Sequence, residues 1–295
     1  MDDKLAISYR YCRRVARQRA RNFYYSFIVL PRKQRDAMCA VYAFMRYCDD
    51  IADDPNMHAN RAEMLERWRS TLDCCEDGGD SLILPAFHHA VKSYDIPLEY
   101  FHQLIDGASM DLYMDRYATF EQLYDYCYKV ASVVGLVCIH IFGFDAPEAK
   151  KYAEYCGIAF QLTNILRDVR EDAANGRVYI PEEDLRAFNY SAEELINGPR
   201  DERFVRLMQF EVARARQYYQ KALPLVEMVH GAGRPGLCAM IDIYFSILDT
   251  IERRQYNVFQ HPIAISRAKK VGIAARALLR SKFPGGKPYL PTSQS

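Results

Sequence analysis

The chain has 295 residues, half of them apolar, with 39 basic and 38 acidic side chains. That length suffices for a large core, and the balanced charge removes the electrostatic case for a nucleic-acid partner. Nine cysteines, odd in number and without a CxxC pair, read as reduced thiols of a cytoplasmic protein rather than a disulfide frame, the adjacent Cys74 and Cys75 included.

Taken in order, nearly every long segment has helical period and none sustains the alternation of a strand, which predicts an all-α chain. The MDDK start lacks a basic segment followed by an apolar one, so no secretory signal is expected. Residues 4–21 form an amphipathic helix with Arg10, Arg14, Arg17 and Arg21 on one face, suited to solvent or to peripheral contact with an anionic membrane surface. Residues 22–30 are aromatic and apolar, and Pro31 sits where a helix over 33–53 begins, with Pro55 ending it. Helices over 59–76, stopped by Gly78 and Gly79, then 84–94 and 97–115 follow. Thr119 with Gln122 caps the start of a helix reaching Phe142. Its apolar run, 130–144, is interrupted by Ser132, Gly135 and His140 and falls short of the roughly 20 residues of a membrane span, so it belongs in the core. A helix from Ala149 stops near Asn175 and Gly176. Residues 182–197 hold a short helix, 201–229 and 237–257 long ones, and 265–281 the last. Residues 1–282 read as one domain and the Pro-, Gly- and Ser-rich 283–295 as a loosely held tail.

Two of these helices carry polar stripes through apolar surroundings. In QLTNILRDVRED, Gln161, Asn164, Asp168 and Asp172 step by three, four and four along one face, while Ile158, Phe160, Leu162, Ile165, Leu166 and Val169 occupy the others. In VYAFMRYCDDIADD, Tyr42, Arg46, Asp49 and Asp53 repeat the design. A helix apolar nearly all round should be buried, and burying such a stripe costs several kcal/mol (roughly) unless it faces water or a cation. Carboxylates at i, i+4 stand roughly 5–6 Å apart, and a hard cation such as Mg²⁺ prefers oxygen ligands shared with phosphates. Two facing pairs predict a cavity that clamps a metal-bound polyphosphate.

Other patterns fail on context. The GxGxxG of residues 231–236 follows a helix, not a strand, and is interrupted by Pro235. The histidines, His88 and His89 among them, form no HExxH. Ser26, Ser132 and Ser246 lack a nucleophile-elbow setting.

The stretches YAFMRYCDDIADD, DYCYKVASVVG, GIAFQLTNILRDVREDAANGRVYIP and ILDTIERRQYNVF resemble, in kind and order, those of the squalene and phytoene synthase family of head-to-head prenyltransferases. The resemblance implies an all-helical isoprenoid synthase fold around a central cavity, two prenyl diphosphate substrates and about three Mg²⁺ ions. NADPH use stays open, because reducing members carry no Rossmann signature. By position, Asp49 and Asp53 match the first metal motif, and Asn164, Asp168 and Asp172 the second. Tyr42, Arg46, Gln161 and Arg167 fall where the family holds diphosphate or shapes its pocket. Tyr126 matches a tyrosine tied to proton transfer or cation control, and Tyr256 a diphosphate-side tyrosine. The segment from Arg19 to Asn22 departs from the serine-containing contact common before Phe23, which assigns that subsite to Asn22 or an arginine. Arg170 stands where glycine is frequent. Phe23, Phe27 and Phe160 are candidates to face a carbocation.

The resemblance further implies ionisation of one allylic diphosphate, attack by the second substrate, and proton loss that closes a cyclopropane. VAS in place of VAG leans toward farnesyl diphosphate and presqualene diphosphate or squalene. Phytoene or dehydrosqualene synthesis, the former from geranylgeranyl diphosphate, is the alternative, and Cys39 beneath the Tyr42 stripe leaves room for the longer chain. A non-catalytic assembly factor on the same fold is the remote alternative, which the intact aspartates oppose.

Overall fold

The computed structural model describes residues 3–20, 22–53, 60–73 and 80–280, without the side chains of Asp53 and Asp73. Arg21, Pro55, Cys74, Cys75, Gly78, Gly79 and the 283–295 tail lie outside the described residues. The helices are α1 (Asp3–Arg19), α2 (Tyr24–Phe27), α3 (Arg32–Asp53), α4 (Arg61–Asp73), α5 (Leu84–Ser93), α6 (Glu99–Met110), α7 (Phe120–Cys127), α8 (Val133–Phe142) and α9 (Ala149–Ala174). They continue as α10 (Glu182–Ala187), α11 (Ala192–Asn197), α12 (Glu202–Ala222), α13 (Leu225–Met228), α14 (Arg234–Arg253) and α15 (Arg267–Arg280). No strand occurs among the described residues, only isolated bridges joining Arg116 to Val178 and Phe144 to Val229.

The 26-residue α9 is central because its middle, from Ala153 to Val169, is apolar on most faces, its exposed charges lying toward its two ends. It buries Ala153, Ile158, Ala159, Leu162, Ile165, Leu166 and Val169, and it packs on α12, α8 and α14. Helix α3 buries its apolar faces against α1, α5 and α6. Local chemistry sets the ends: the Thr119 hydroxyl accepts from Gln122 N, Ser191 and Glu194 form a reciprocal capping box, and Gly176 (φ 78°) follows α9 in the left-handed region.

Three departures from the expected elements have local causes. The 97–115 helix stops at Met110 because the backbone beyond it pairs elsewhere, Val178 N donating to Asp115 O at 2.9 Å. The 182–197 helix is two, parted at Asn189, which takes φ 52°. The 201–229 helix breaks at Pro224, which lacks the N–H that would continue it.

Residues 120–142 are helical throughout, α7 and α8 being joined by a π turn, Tyr128–Ser132. This 23-residue stretch is long and apolar enough to cross a membrane by length and composition, more than the 130–144 run suggested. The π turn and α8 nonetheless pack between α6 and α9, and their apolar side chains belong to the core or to the cavity described below. The seven described cysteines are buried and unpaired, and burial pushes their thiols up. On α1, Arg10, Arg14 and Arg17 are exposed.

A buried charge cluster ties α10 to α12. Arg214 donates to Glu211 (3.0 and 2.9 Å) and to Asp184 (2.7 and 3.1 Å), its guanidinium lying 4.1 Å from the Phe120 ring centroid. One guanidinium cannot neutralise two carboxylates, and burial, against the pull of Arg214 and aided by Asp184, raises the Glu211 carboxyl above the usual range. A folded-state pKa above the unfolded one stabilises fully below the unfolded value and less as pH rises through the folded value. Melting temperature is therefore expected to fall on the alkaline side. Glu211→Gln should flatten that slope, by at most about 1.4 kcal/mol per pH unit for one proton. Melts between pH 6 and 9 with equal slopes for both proteins would count against this protonation.

Candidate active site

The two predicted stripes meet. Tyr42, Arg46 and Asp49 of α3 face Asn164, Arg167 and Asp168 of α9, and these six, with Phe23, line both of two adjoining hollows. The outer chamber, of about 820 Å³, is polar at its rim: Arg19, Asn22, Arg170, Glu171 and Lys270 surround it, and the 262–265 segment forms another part of its wall. The inner cavity, of about 470 Å³, is an apolar bore walled by Leu104, Val130, Val134, Ile139, Phe142, Leu237 and Met240, with Gln161 and Phe160 near its neck.

One wall of the bore comes from a single continuous helical stretch, through Tyr126, Val130, Ala131, Val134, Gly135, Cys138, Ile139 and Phe142. Steps of four advance an ideal α-helix by roughly 40° each, which would rotate Tyr126 away from Phe142's side of the helix. The π turn holds more residues per turn and takes back part of that drift. It fits because Gly157 of α9 and Gly107 of α6 bare their backbones to it. A Cβ on Gly157 would lie 2.4 Å from Ser132 Cα, and one on Gly107 2.8 Å from Val130 Cγ1.

Charges at the neck are paired. Arg167 grips Asp168 through both edges of its guanidinium, Nε to Oδ1 at 2.7 Å and Nη2 to Oδ2. Arg46 bonds Asp50 and stands 3.9 Å from Asp49, while Arg19 reaches the same Asp50 at 2.8 Å. Gln161 accepts from Asn164 Nδ2 at 3.3 Å, and Asn164 Oδ1 is buried without a hydrogen-bond partner. Burial, helped by Asp168 and Glu171 and opposed by Arg177, pushes the Asp172 carboxyl up to about 7. Among the described residues no group of three or more His, Cys, Asp or Glu could by itself hold a metal ion.

Several expected residues fall elsewhere. Asp172 lines neither hollow. It lies one turn beyond the neck, within electrostatic reach of Arg177 and Asp111. Asp53 closes α3, and its side chain is outside the described residues. Tyr256 sits in the turn after α14 at φ 62°, in neither lining. The tyrosine of α14 that does face the chamber is Tyr244, 3 % exposed, its ring stacked 4.5 Å from Phe160 and tilted against Phe23 at 5.2 Å. Burial raises its hydroxyl, and Arg167 and Asn164 pull the other way. Tyr244 is the single tyrosine of α14 and belongs to no polar stripe, so spacing gave no signal for it. Phe23 and Phe160 line the bore, whereas Phe27 packs behind them against Tyr42. Tyr126 reaches the bore, its hydroxyl donating to Asp111, a residue the sequence patterns did not mark. Arg170 donates to Phe259 O at 2.6 Å, tying α9 to the segment beyond α14.

An all-helical fold with an oxygen-rich neck above an apolar bore defines a class of enzyme that handles a substrate with an anionic head and a hydrocarbon chain. The chain belongs to the squalene/phytoene synthase family, whose model matches residues 16–269, and is thus a prenyltransferase of the head-to-head type. It is 34% identical over 294 residues to the 15-cis-phytoene synthase of Synechococcus elongatus, covering 94% of each chain. Against the phytoene synthase of Mycobacterium tuberculosis it is 36% identical over 277 residues, covering 93% of this chain and 91% of that one. Its isoprenoid synthase fold is shared with a crystallised dehydrosqualene synthase in complex with ligand (TM-score 0.86, 26% identity, 94% of this chain and 98% of that one). The squalene synthase HpnC from Alicyclobacillus acidocaldarius has it too (TM-score 0.80, 27% identity, 87% and 97%).

Proposed function

We propose that this protein joins two molecules of geranylgeranyl diphosphate head to head and converts the cyclopropyl diphosphate so formed into phytoene. The observation that carries the reading is end-to-end similarity to phytoene synthases, the site residues meeting at the neck of an apolar bore. The length of that bore agrees with a long chain, since Val130 to Phe142 spans roughly 18 Å of helix at about 1.5 Å per residue. The serine of VAS, on which the farnesyl expectation rests, faces away from it. Ser132 is fully buried and donates to Glu154 O at 2.9 Å, and Cys39 lines neither hollow, so neither residue reports on chain length.

The donor set fits magnesium. Asp49, Asp168 and Asn164, with Asp172 one turn beyond them, offer oxygens only, and the partnerless Asn164 Oδ1 is a group that a cation would satisfy. Among the described residues no three carboxylates gather closely enough to hold a cation by themselves, and diphosphate oxygens would supply further ligands. Bound Mg²⁺ supplies charge neutralisation for the leaving diphosphate. Arg46, Arg167, Arg19 and Lys270 add charged donors at the rim, Tyr42 and Tyr244 hold hydroxyls toward it, and Phe23 and Phe160 present ring faces to the allylic cation. The apolar bore keeps water from that cation.

A farnesyl-using reading, making squalene or dehydrosqualene, keeps the names of the solved structural neighbours in its favour. Incubation with Mg²⁺ and labelled C15 or C20 diphosphate, with and without NADPH, separates the two. Phytoene formation ends in proton loss and needs no reductant, so C20 should be coupled without NADPH. Coupling of C15 alone would overturn the phytoene reading, and coupling of neither would point to an assembly role.

A further inference from the structure

The loop after α6 carries a carboxylate with no part in the chemistry described so far. Asp111 lines the inner cavity. Its Oδ2 accepts from the Tyr126 hydroxyl at 3.1 Å and its Oδ1 from the Tyr179 hydroxyl at 2.8 Å, and the two hydroxyls are 3.4 Å apart. Both tyrosines are nearly closed to water, at 4 % and 8 % exposure. Their rings stack at 5.2 Å, and Tyr117 covers both at 5.4 and 5.8 Å, its own buried hydroxyl having no hydrogen-bond partner.

The RVYIP motif that follows α9 explains how this cluster is held. Its Arg177 Nη2 donates to Asp111 O (3.2 Å), Val178 N to Asp115 O (2.9 Å), and the next residue, Glu182, to Tyr117 O through its N–H (2.9 Å). Backbone pairing along residues 111–117 and 177–182 thereby delivers Tyr179 to the carboxylate. An ionised carboxylate only accepts, so each tyrosine commits its proton to Asp111 and keeps its oxygen lone pairs for another donor. Of the two, Tyr126 is the one that also lines the bore.

We propose that Asp111 is the proton acceptor of the coupling reaction, reached through Tyr126, with Tyr179 holding the second carboxylate oxygen in register. This rests on the head-to-head coupling proposed above. When the second substrate has attacked, the new cation lies one carbon removed from the former C1 of the ionised substrate; a C–H bond on that C1 breaks and its electron pair bonds to the cationic carbon, which closes the three-membered ring. The proton passes to the Tyr126 oxygen while the Tyr126 proton moves to Asp111 Oδ2. Asp111 ends as the neutral acid and returns the proton to water when the site opens. A hydrogen-bond chain of this length meets the distance requirement for general-base catalysis through one intermediary.

The test compares wild type, Asp111→Asn, Asp111→Glu and Tyr179→Phe for diphosphate release, coupled product, kcat and KM with the C20 substrate, alongside circular dichroism. Asp111→Asn keeps the shape but cannot take a proton. It should lower kcat for coupled product about 100-fold, the lower end of general-base effects, with KM changed less than about threefold. Diphosphate release should fall less than formation of the cyclopropyl product, the difference appearing as water-quenched C40 alcohol, with C20 alcohol where the attack reverses. Asp111→Glu should recover part of the loss. Tyr179→Phe, which keeps the ring stack, should show the same uncoupling at about tenfold and serves as the measure if Asp111→Asn does not fold. A folded Asp111→Asn within about threefold of wild-type kcat, a loss confined to KM, or coupling ratios unchanged in Tyr179→Phe would each overturn the relay. If wild type couples neither C15 nor C20, the proposed function fails and takes the relay with it. If wild type couples and Asp111→Asn couples as well, the relay alone fails.

Discussion

Asp168→Ala is expected to lower turnover at least about 100-fold, near 2.7 kcal/mol of lost transition-state stabilisation, while the protein stays folded. The carboxylate stands where the two hollows join, facing Asp49 across the neck, so its removal deletes a ligand that the diphosphate-bound cation would use. It also frees Arg167 from its bidentate partner and changes the local balance by one positive charge. Stability should respond little. Asp168 and Arg167 are 31% and 23% exposed and border an open chamber, so the unpaired guanidinium can be hydrated, at a cost of about 1 kcal/mol or less. Asp49→Ala should behave alike, because that side chain is 56% exposed at the chamber. Diphosphate release at millimolar Mg²⁺ and thermal melting together decide the matter. Wild-type rates from either variant would remove the clamp from the mechanism.

Gly157→Val is expected to cost about 2–3 kcal/mol of stability and to impair turnover even where the variant is folded. The new Cβ would lie 2.4 Å from Ser132 Cα, 2.6 Å from Ser132 N and 2.7 Å from Ala131 C. All three are backbone atoms, so no rotamer change relieves the clash and α9 must separate from the π turn. A gain in helix propensity over glycine offsets only a few tenths of a kcal/mol, roughly. Because Ala131 and Gly157 both line the bore and Tyr126 lies just before the π turn, the same shift should re-aim Tyr126. Melting should drop several degrees, and kcat measured well below the melting point should fall more than KM rises. A melting temperature unchanged within about 1 °C would show that the two segments do not approach this closely.

Which stripe residues would meet was legible from spacing, because a polar row along an apolar helix has few places to go. Gln161, Asn164 and Asp168 on α9 and Tyr42, Arg46 and Asp49 on α3 all line the hollows. Spacing does not report where a helix outlasts its cavity, which is why Asp172 lies on the predicted face yet behind the neck. Nor does it mark singletons. Asp111, Tyr179 and Tyr244 each come from a different element and share no period; Tyr244 lines the chamber from within α14, while Tyr256 lies in the turn beyond it.

By itself, the order of the residues determined the all-helical character, the two acid-bearing helices and the family, since periodicity, caps and motif spacing are local properties written along the chain. Only the tertiary structure decided the bore, the π turn that keeps its wall facing inward, and the gathering of Asp111, Tyr126 and Tyr179. Those depend on how close two backbones approach, and that distance is set at Gly157 and Gly107 by a neighbouring element remote in sequence, where no single helix carries the information.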